Sequence, residues 1–489
     1  MDTSAIDPGA TASLPSMLAA IVGDDHVLDQ EAAAKVHTGD MSWLTISAAA
    51  SGKPLSRPDA IVFPRTAEEV SEILILANRV GIPVTPFGGG SGVQGAGNAD
   101  RGGIILSLKR MNAIRSVDRE SMTAVVEAGH VIRELEAGFN ADGLSFTHYP
   151  ASAEWATLGG CIAARGSGVL STKYGKIEEH VLSLELVLPT GEIVHTPAVP
   201  RHAAGPELTQ LFVGAEGVLG VVTAATIALR QVPCTRIFRC LLFDDLDAGI
   251  AAGRDIMVDG LRPPVMRLYD KAAATGSLER AVDCGIDRAA MVLMFDGDVE
   301  SVVEAEAQAG IERCLRHGGI DHGSEPGEIW WKRRYDFYYP PHAPELPQIW
   351  ATMDVVADFA HIRGVYDAVT EAMMGAIDPK WNMTLKTHFS HWYPWGSMIY
   401  PRFGVPKGPD DREEALALHD AIVKAATEAA LESGAVINDH HGVGMRLNDY
   451  LGDQLGEGGM AMLQGIKSGL DPNNVLCPGK MGLKVSSTD

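Results

Sequence analysis

The chain has 489 residues, 46% of them hydrophobic and 21% charged, the proportions of an ordinary globular protein with room for roughly two to four structural units. Its formal net charge of −23 argues against nucleic acid and anionic membrane as partners, because both attract the opposite sign. No apolar run is long enough to span a bilayer, the first residues lack the basic start and apolar stretch of a signal peptide, and the six cysteines contain no C-x-x-C pair, so reduced thiols in a cytoplasmic protein are expected.

Residues 12–50 have Ala-rich apolar spacing and predict a helical N-terminal arm, bounded here as 1–54. Ile61-Val62-Phe63 reads as a short strand. Thr66 and Glu69 form a capping box, and the helix they open carries Val70, Ile73, Leu74 and Ala77 on one face before stopping near Gly81. A strand at 83–87 then delivers the loop Pro86-Phe87-Gly88-Gly89-Gly90-Ser91-Gly92-Val93-Gln94-Gly95-Ala96-Gly97.

Gly90, Gly92 and Gly95 fit G-x-G-x-x-G, but the helix that a dinucleotide-binding βαβ unit opens at that point is missing. Asn98 to Gly103 and a strand at about 104–108 follow instead. No Gly-Lys-Ser/Thr ends the run, which excludes the P-loop. The pattern left is a strand–loop–strand phosphate cradle built from backbone N–H groups.

Further strands are expected at 123–128 and 181–188, with a helix at roughly 130–142 between them. A second glycine-rich region spans Pro150 to Gly175, and a third spans Gly214 to Gly220. One such loop is as easily an ordinary turn. Three in one α+β unit, here 55–233, point to a ligand that the backbone must approach closely. A second unit, 234–435, has strands at 237–243 and 290–295, helices at 245–259 and 300–317, and most of the aromatic residues, among them Phe337, Tyr338 and Tyr339. The amphipathic helix 412–433 stops at Gly434. A strand, 435–438, leads into Asp439-His440-His441-Gly442-Val443-Gly444, and the segment 436–489 closes the chain.

His440 and His441 follow a strand in a Gly-flanked turn. Imidazoles take and give protons near neutral pH, so the pair is a candidate base, against the alternative of two structural histidines bonded to carbonyls. Arg267 lies mid-strand among apolar residues, where its guanidinium needs either an internal carboxylate or an anionic substrate group.

The order of these loops resembles the FAD-binding domain of the p-cresol methylhydroxylase and vanillyl-alcohol oxidase type flavoproteins, over about 55–233 and 435–480. Within that superfamily the likeness is nearest to the alkyl-dihydroxyacetone-phosphate synthases. It is carried by Pro86–Gly95, by Thr157–Gly160 with Ser167-Gly168 and Tyr174-Gly175, by Gly214–Thr223 and by the His440–Gly444 turn.

The resemblance implies an α+β fold: a PCMH-type FAD-binding domain of two α/β subdomains, with an α+β cap domain over the flavin. It implies that Pro86, Gly88, Gly89, Gly90, Ser91 and Gly92 hold the pyrophosphate side of FAD, and that Pro150, Ser152, Thr157, Gly160, Ser167, Gly168, Gly217 and Val222 line the rest. Some relatives attach FAD through a histidine beside the first loop. No histidine lies in 83–97, so non-covalent FAD is expected. Tyr400 matches the synthase tyrosine assigned to proton transfer.

The synthases carry three consecutive histidines where this chain has Asp439-His440-His441, and an aspartate there can orient an imidazole. In the D-2-hydroxy acid dehydrogenase branch the turn reads Ala-Glu-His-Gly and a histidine pair six residues apart binds metal. This chain has His388 and His391 only three apart, so no metal is expected.

The function implied is an FAD-dependent oxidoreductase taking a hydride from an alcohol, 2-hydroxy acid or phenolic small molecule to flavin N5. His440, His441 and Tyr400 would handle the hydroxyl proton and Arg267 an acidic end, with oxygen or a carrier as electron acceptor and a homodimer as the assembly. The alternative is a synthase-like flavin-dependent transferase; a catalytically silent FAD-binding protein is a distant third.

Overall fold

The computed structural model describes residues 13–37, 39–275, 286–336 and 347–484. The aromatic run Phe337, Tyr338, Tyr339 lies outside the described residues, as does Pro340-Pro341.

Among the described residues, three sheets of four or more strands organise the chain, beside a two-stranded ribbon of Leu144–Ser145 and Arg230–Gln231. The first runs in the order Val27–Asp29, Ala60–Val62, Ile104–Ser107, Val84–Phe87, and is parallel apart from its first pair. Helix Ala67–Val80 turns Val70, Ile73, Leu74 and Ala77 onto it. Thr66 Oγ1 caps that helix by accepting from Glu69 N at 3.2 Å, while the Glu69 carboxylate returns to Arg65 N at 2.6 Å. The N-terminal arm is helical as expected, in three short helices, Leu14–Val22, Gln30–Val36 and Trp43–Ala50; a strand, Val27–Asp29, lies between the first two and pairs with 60–62.

The second sheet is antiparallel, in the order Ile114–Asp118, Thr123–Glu127, Val221–Ala228, Val181–Val187, Ile193–His195. Together these two layers form two α/β subdomains, and a large α+β layer completes the architecture that the family resemblance implied.

That third layer is an eight-stranded antiparallel sheet covered by helices including Ile362–Gly375 and Arg412–Glu432. Within it, Thr384–Tyr393 and Gly396–Val405 form the central hairpin, in which His388 pairs with Tyr400. On the far side of 396–405 run two short strands, Ile349–Thr352 and Val355–Asp358. Their registers are continuous: Thr352 opposes Arg402 and Val355 opposes Ile399, which sets Asp354 opposite Tyr400. The ladder breaks at this point because Pro401 has no N–H to donate.

The segment 435–438, expected as a strand, makes only isolated bridges, Val356↔Val436 and Asp354↔Asn438. It docks where the break frees Asp354.

The C-terminal segment returns to the first sheet. Val84 N donates to Val475 O at 2.8 Å and Cys477 N to Val84 O at 3.0 Å. The buried Lys467 ammonium clasps this return, donating to Val218 O at 2.9 Å, Leu476 O at 2.7 Å and the Asp471 carboxylate at 2.5 Å. Among the described residues no helix is long and apolar enough to cross a membrane.

Candidate active site

The first glycine loop joins two parallel strands, so it crosses from the C-terminal end of Val84–Phe87 to the N-terminal end of Ile104–Ser107. Gly88 and Gly89 leave no room for a side chain, because the second loop comes too close. A Cβ on Gly89 would lie 1.7 Å from Trp155 O, and one on Gly88 would lie 2.3 Å from Thr157 Oγ1. The first and second loops are thus pressed together, with Thr157 capping helix Leu158–Ala164 through Gly160 N at 3.3 Å. The third loop joins them where Gly217 packs on the Pro86 ring.

Among the described residues, the amides of Gly88, Gly89, Gly90 and Gly92 donate to no protein acceptor. Clustered free N–H groups of this kind complement an anion. The outer side of the loop is braced by the arm, where the buried Asp40 carboxylate accepts from Gly95 N at 2.6 Å and Thr45 Oγ1 at 2.9 Å. Lys480 Nζ ties the far end by donating to Asn98 O at 2.8 Å.

Two buried side chains beside these loops have polar atoms with no protein partner. Both amide atoms of Gln94 and both ring nitrogens of His148 are unsatisfied. Buried polar groups are otherwise paired, so a ligand with polar edges fits here. FAD meets that requirement: its pyrophosphate suits the free amides and its polar ring edge suits the orphaned side chains.

The other cofactor candidates are placed as follows. Pro150 and Ser152 open a tight turn whose carbonyls accept from Ala153 N and Trp155 N. Gly168 packs on the Tyr149 backbone. Val222 is half-buried on strand Val221–Ala228, between two core clusters. The Ser167 hydroxyl donates to Asp439 Oδ2 at 3.1 Å, which ties the second loop to the histidine turn.

That turn is organised by two carboxylates. Asp354, fully buried, accepts through Oδ2 from the backbone N–H of Asp439, His440 and His441 at 3.1, 2.7 and 3.0 Å. Its Oδ1 accepts from Asn438 Nδ2 at 3.0 Å and from His441 Nδ1 at 2.9 Å. Burial works to raise its pKa, but the charges of His441 and His440 and the His441 hydrogen bond outweigh that and lower it to about 2.

Asp439 accepts through Oδ2 from His391 Nδ1 and His440 Nδ1, both at 3.0 Å, and through Oδ1 from the Tyr393 hydroxyl at 2.6 Å. Lys176 donates to its backbone carbonyl. Burial again opposes ionisation, yet the His391 and His440 hydrogen bonds and the Lys176 charge hold this carboxyl well below the usual range.

His440 Nδ1 sits between the carboxylates, 3.0 Å from Asp439 and 3.1 Å from Asp354. Burial and the neighbouring His441 depress its pKa to about 4 against the pull of Asp354, so the ring is neutral at pH 7. His441 Nε2 faces the Tyr400 hydroxyl at 3.4 Å, a long contact of the kind that catalytic pairs show before substrate binds. Tyr400 stacks on His388 at 4.7 Å between ring centroids. Burial raises its pKa, so it is a protonated phenol.

Arg267, expected to meet a carboxylate or a substrate, donates to His388 Nε2 at 3.0 Å and lies 5.6 Å over the Trp330 ring. Burial and the charges of Arg267 and Arg402 push His388 well below its usual pKa, which makes it a neutral acceptor. Among the described residues no carboxylate lies within ion-pair distance of Arg267.

The structure therefore brings His440, His441, Tyr400 and Arg267 into one cluster. It adds Asp354, Lys176, His388, His391 and Glu216, which the sequence reading did not assign. Glu216 belongs to the third loop, and its carboxylate accepts from Val443 N and, at 2.9 Å, from Gly444 N, coupling that loop to the histidine turn. Asp354 had one sequence signal, a single acid inside the apolar run Met353-Asp354-Val355-Val356. His391 was read only as half of a histidine pair too closely spaced for a metal site; it reaches Asp439 through a bulge between Ser390 and Trp392, where its φ is +50°. Two triads, Asp354–His440–His441 and His391–Asp439–His440, bring metal-ligand atoms within 4.8 Å of one another. The nitrogens and carboxylates are already bonded to each other there.

The sequence matches the family of FAD binding domains over residues 58–197 and the C-terminal domain of FAD-linked oxidases over 233–481. It is 30% identical to an alkyldihydroxyacetonephosphate synthase of Trypanosoma brucei brucei, over 87% of this chain and 73% of that protein. It is 28% identical to the glycolate oxidase subunit GlcD of Bacillus subtilis, over 88% of this chain and 90% of that one. The fold superposes on a crystal structure of p-cresol methylhydroxylase with substrate bound, with a TM-score of 0.76 at 18% identity, covering 96% of each chain.

Proposed function

The chain belongs to the FAD-linked oxidases, and from that premise we propose that it oxidises a hydroxylated small molecule with an acidic group, a 2-hydroxy acid foremost and an alcohol or phenol by extension. FAD, held without a covalent bond, supplies the hydride acceptor. The free amides of Gly88, Gly89, Gly90 and Gly92 bind its pyrophosphate.

The observation that carries this reading is the Tyr400–His441 pair beside Arg267. As the substrate C–H bond breaks, the substrate hydroxyl proton passes to Tyr400 Oη while the Tyr400 proton moves to His441 Nε2. The guanidinium of Arg267, held by a neutral imidazole rather than neutralised by a carboxylate, keeps its charge available for the acidic end of the substrate. Anaerobic addition of 2-hydroxy acids, alcohols and phenols to the yellow holoenzyme tests the proposal: one class bleaches the flavin absorbance, and bleaching by none overturns it. Repeating the assay under air and with an artificial dye separates oxygen from a carrier as the acceptor.

A second reading, a flavin-dependent transferase, is favoured by the 30% identity to the trypanosomal synthase. It predicts exchange of an acyl for an alkyl group on an acylated dihydroxyacetone phosphate with no net flavin reduction, and absence of exchange excludes it.

A further inference from the structure

We propose that Asp354 is the positioning residue of this site: it fixes His441 in the tautomer that bears its proton on Nδ1, and so makes His441, rather than His440, the base that serves Tyr400. The inference rests on the proposed proton transfer and extends it to a residue that no sequence motif marks.

The geometry begins in the sheet. Asp354 lies in the gap between the strands Ile349–Thr352 and Val355–Asp358, in register with Tyr400 on the neighbouring strand. His441 comes from a different part of the chain and bridges the two, with Nδ1 2.9 Å from Asp354 Oδ1 and Nε2 3.4 Å from Tyr400 Oη. The bridge cannot be assembled in the other tautomer without placing a lone pair of Nδ1 against the carboxylate. With Nδ1 as donor, Nε2 is left as a bare acceptor pointed at the phenol.

The carboxylate is held to this role from every side. Three consecutive backbone N–H groups converge on Oδ2, and Asn438 Nδ2 joins His441 on Oδ1. The same three amides anchor the turn that carries both histidines. Asp354 thus sets where the imidazole is as well as which nitrogen holds the proton.

His440 is placed for a different task. Its Nδ1 is shared between Asp439 Oδ2 and Asp354 Oδ2, and its ring stacks near Tyr400 at 6.0 Å and 21°. Among the described residues no hydrogen bond joins the His440 ring to the Tyr400 hydroxyl, whereas His441 Nε2 faces that hydroxyl at 3.4 Å. The Asp354–His441–Tyr400 order is the carboxylate–imidazole–hydroxyl arrangement in which the acid orients the base and stabilises the imidazolium as it forms. During turnover the proton leaves Tyr400 Oη for His441 Nε2, the Asp354 carboxylate remains ionised, and the substrate hydroxyl proton replaces the one lost by Tyr400.

The direct test uses wild-type holoenzyme labelled with nitrogen-15 histidine, with the His441 resonances identified by their loss in His441→Gln. A one-bond proton coupling at Nδ1 and an unprotonated Nε2 are expected; a protonated Nε2 overturns the proposal. This measurement needs no substrate, so it stands apart from the flavin-bleaching assay, and either can fail alone. The second arm is Asp354→Asn. With FAD still bound, kcat falls by about 10²–10³-fold with KM changed by less than about threefold, since an amide can present its N–H to Nδ1 and flip the tautomer. A folded, FAD-loaded Asp354→Asn enzyme with unchanged kcat contradicts the proposal. If the variant fails to fold, the tautomer of the wild-type ring decides.

Discussion

Asp354 falls in register with Tyr400, in the gap between two short strands where Pro401 interrupts the ladder. The interruption lets the segment 436–441 dock its backbone on Asp354, with Asp439 N also bonded to Asp354 O at 2.6 Å. A missing N–H in the cap sheet thereby delivers two histidines to a tyrosine. The chemistry assigned to the site depends on that docking.

Glycine 89 should tolerate no side chain. In Gly89→Ala the new methyl would sit 1.7 Å from Trp155 O, so the first and second loops must separate. Purified Gly89→Ala should carry less than about a tenth of the wild-type flavin, because separating backbone from backbone costs well over 1.4 kcal/mol. Normal flavin content would show that the cradle does not hold the cofactor at this point.

Acid precipitation should release all of the yellow colour into the supernatant. His37, on the arm, is buried against Phe87 with Nε2 2.8 Å from Ser56 Oγ. Colour that stays with the pellet would establish a covalent bond.

Breaking the Lys467–Asp471 pair should destabilise the chain more than any surface ion pair. In Lys467→Met the Asp471 carboxylate stays buried with only the amides of Val475 and Leu476, and Val218 O and Leu476 O lose their donor. Loss of one partner of a buried pair costs about 3–5 kcal/mol. Denaturant unfolding should register it, and a loss under about 1 kcal/mol would contradict the clasp.

Stability should fall on acidification. His37, His180 and His440 are each lowered from 6.5 to about 4, chiefly by burial. A depressed histidine pKa means that the folded state favours the neutral ring. The stabilisation is therefore complete above about pH 6.5 and lost as pH falls toward about 4, by at most about 3 kcal/mol per group. Glu216 acts in the opposite sense: burial raises its pKa to about 7, so its ionisation costs stability as pH rises from about 4.5 to 7. Unfolding measured between about pH 4 and pH 8 should show a net loss on the acid side, and Glu216→Gln should make that loss steeper. Stability that increases toward pH 4 would contradict the burial of the three rings.

Local signals carried much of this structure. The Thr66–Glu69 box and the apolar stripe of helix Ala67–Val80 are written in neighbouring residues, as is the run of glycines between two strands. His440 and His441 were legible as a pair, because imidazoles in a Gly-flanked turn are unusual chemistry wherever they lie. Their partners were not. Asp354 is some eighty residues away and becomes a partner only through the register set at Pro401, while His391 depends on a bulge. Helix Leu451–Leu470 was missed because six glycines dilute its periodicity, and Gly456, with φ of +70°, does break its regularity. The expected strand at 435–438 has the right composition, but it meets Asp354 and Val356 at isolated positions rather than along a ladder.

Substrate oxidation at this site depends on hydroxyl proton removal by Tyr400 assisted by His441. Anaerobic rapid mixing of wild-type and Tyr400→Phe holoenzymes with the best hydroxylated acid tests it most directly. The wild-type flavin should bleach in a single turnover, and the Tyr400→Phe flavin, bound with an unaltered visible spectrum, should bleach about 10²–10⁴-fold more slowly. Equal rates in the two proteins would contradict the account.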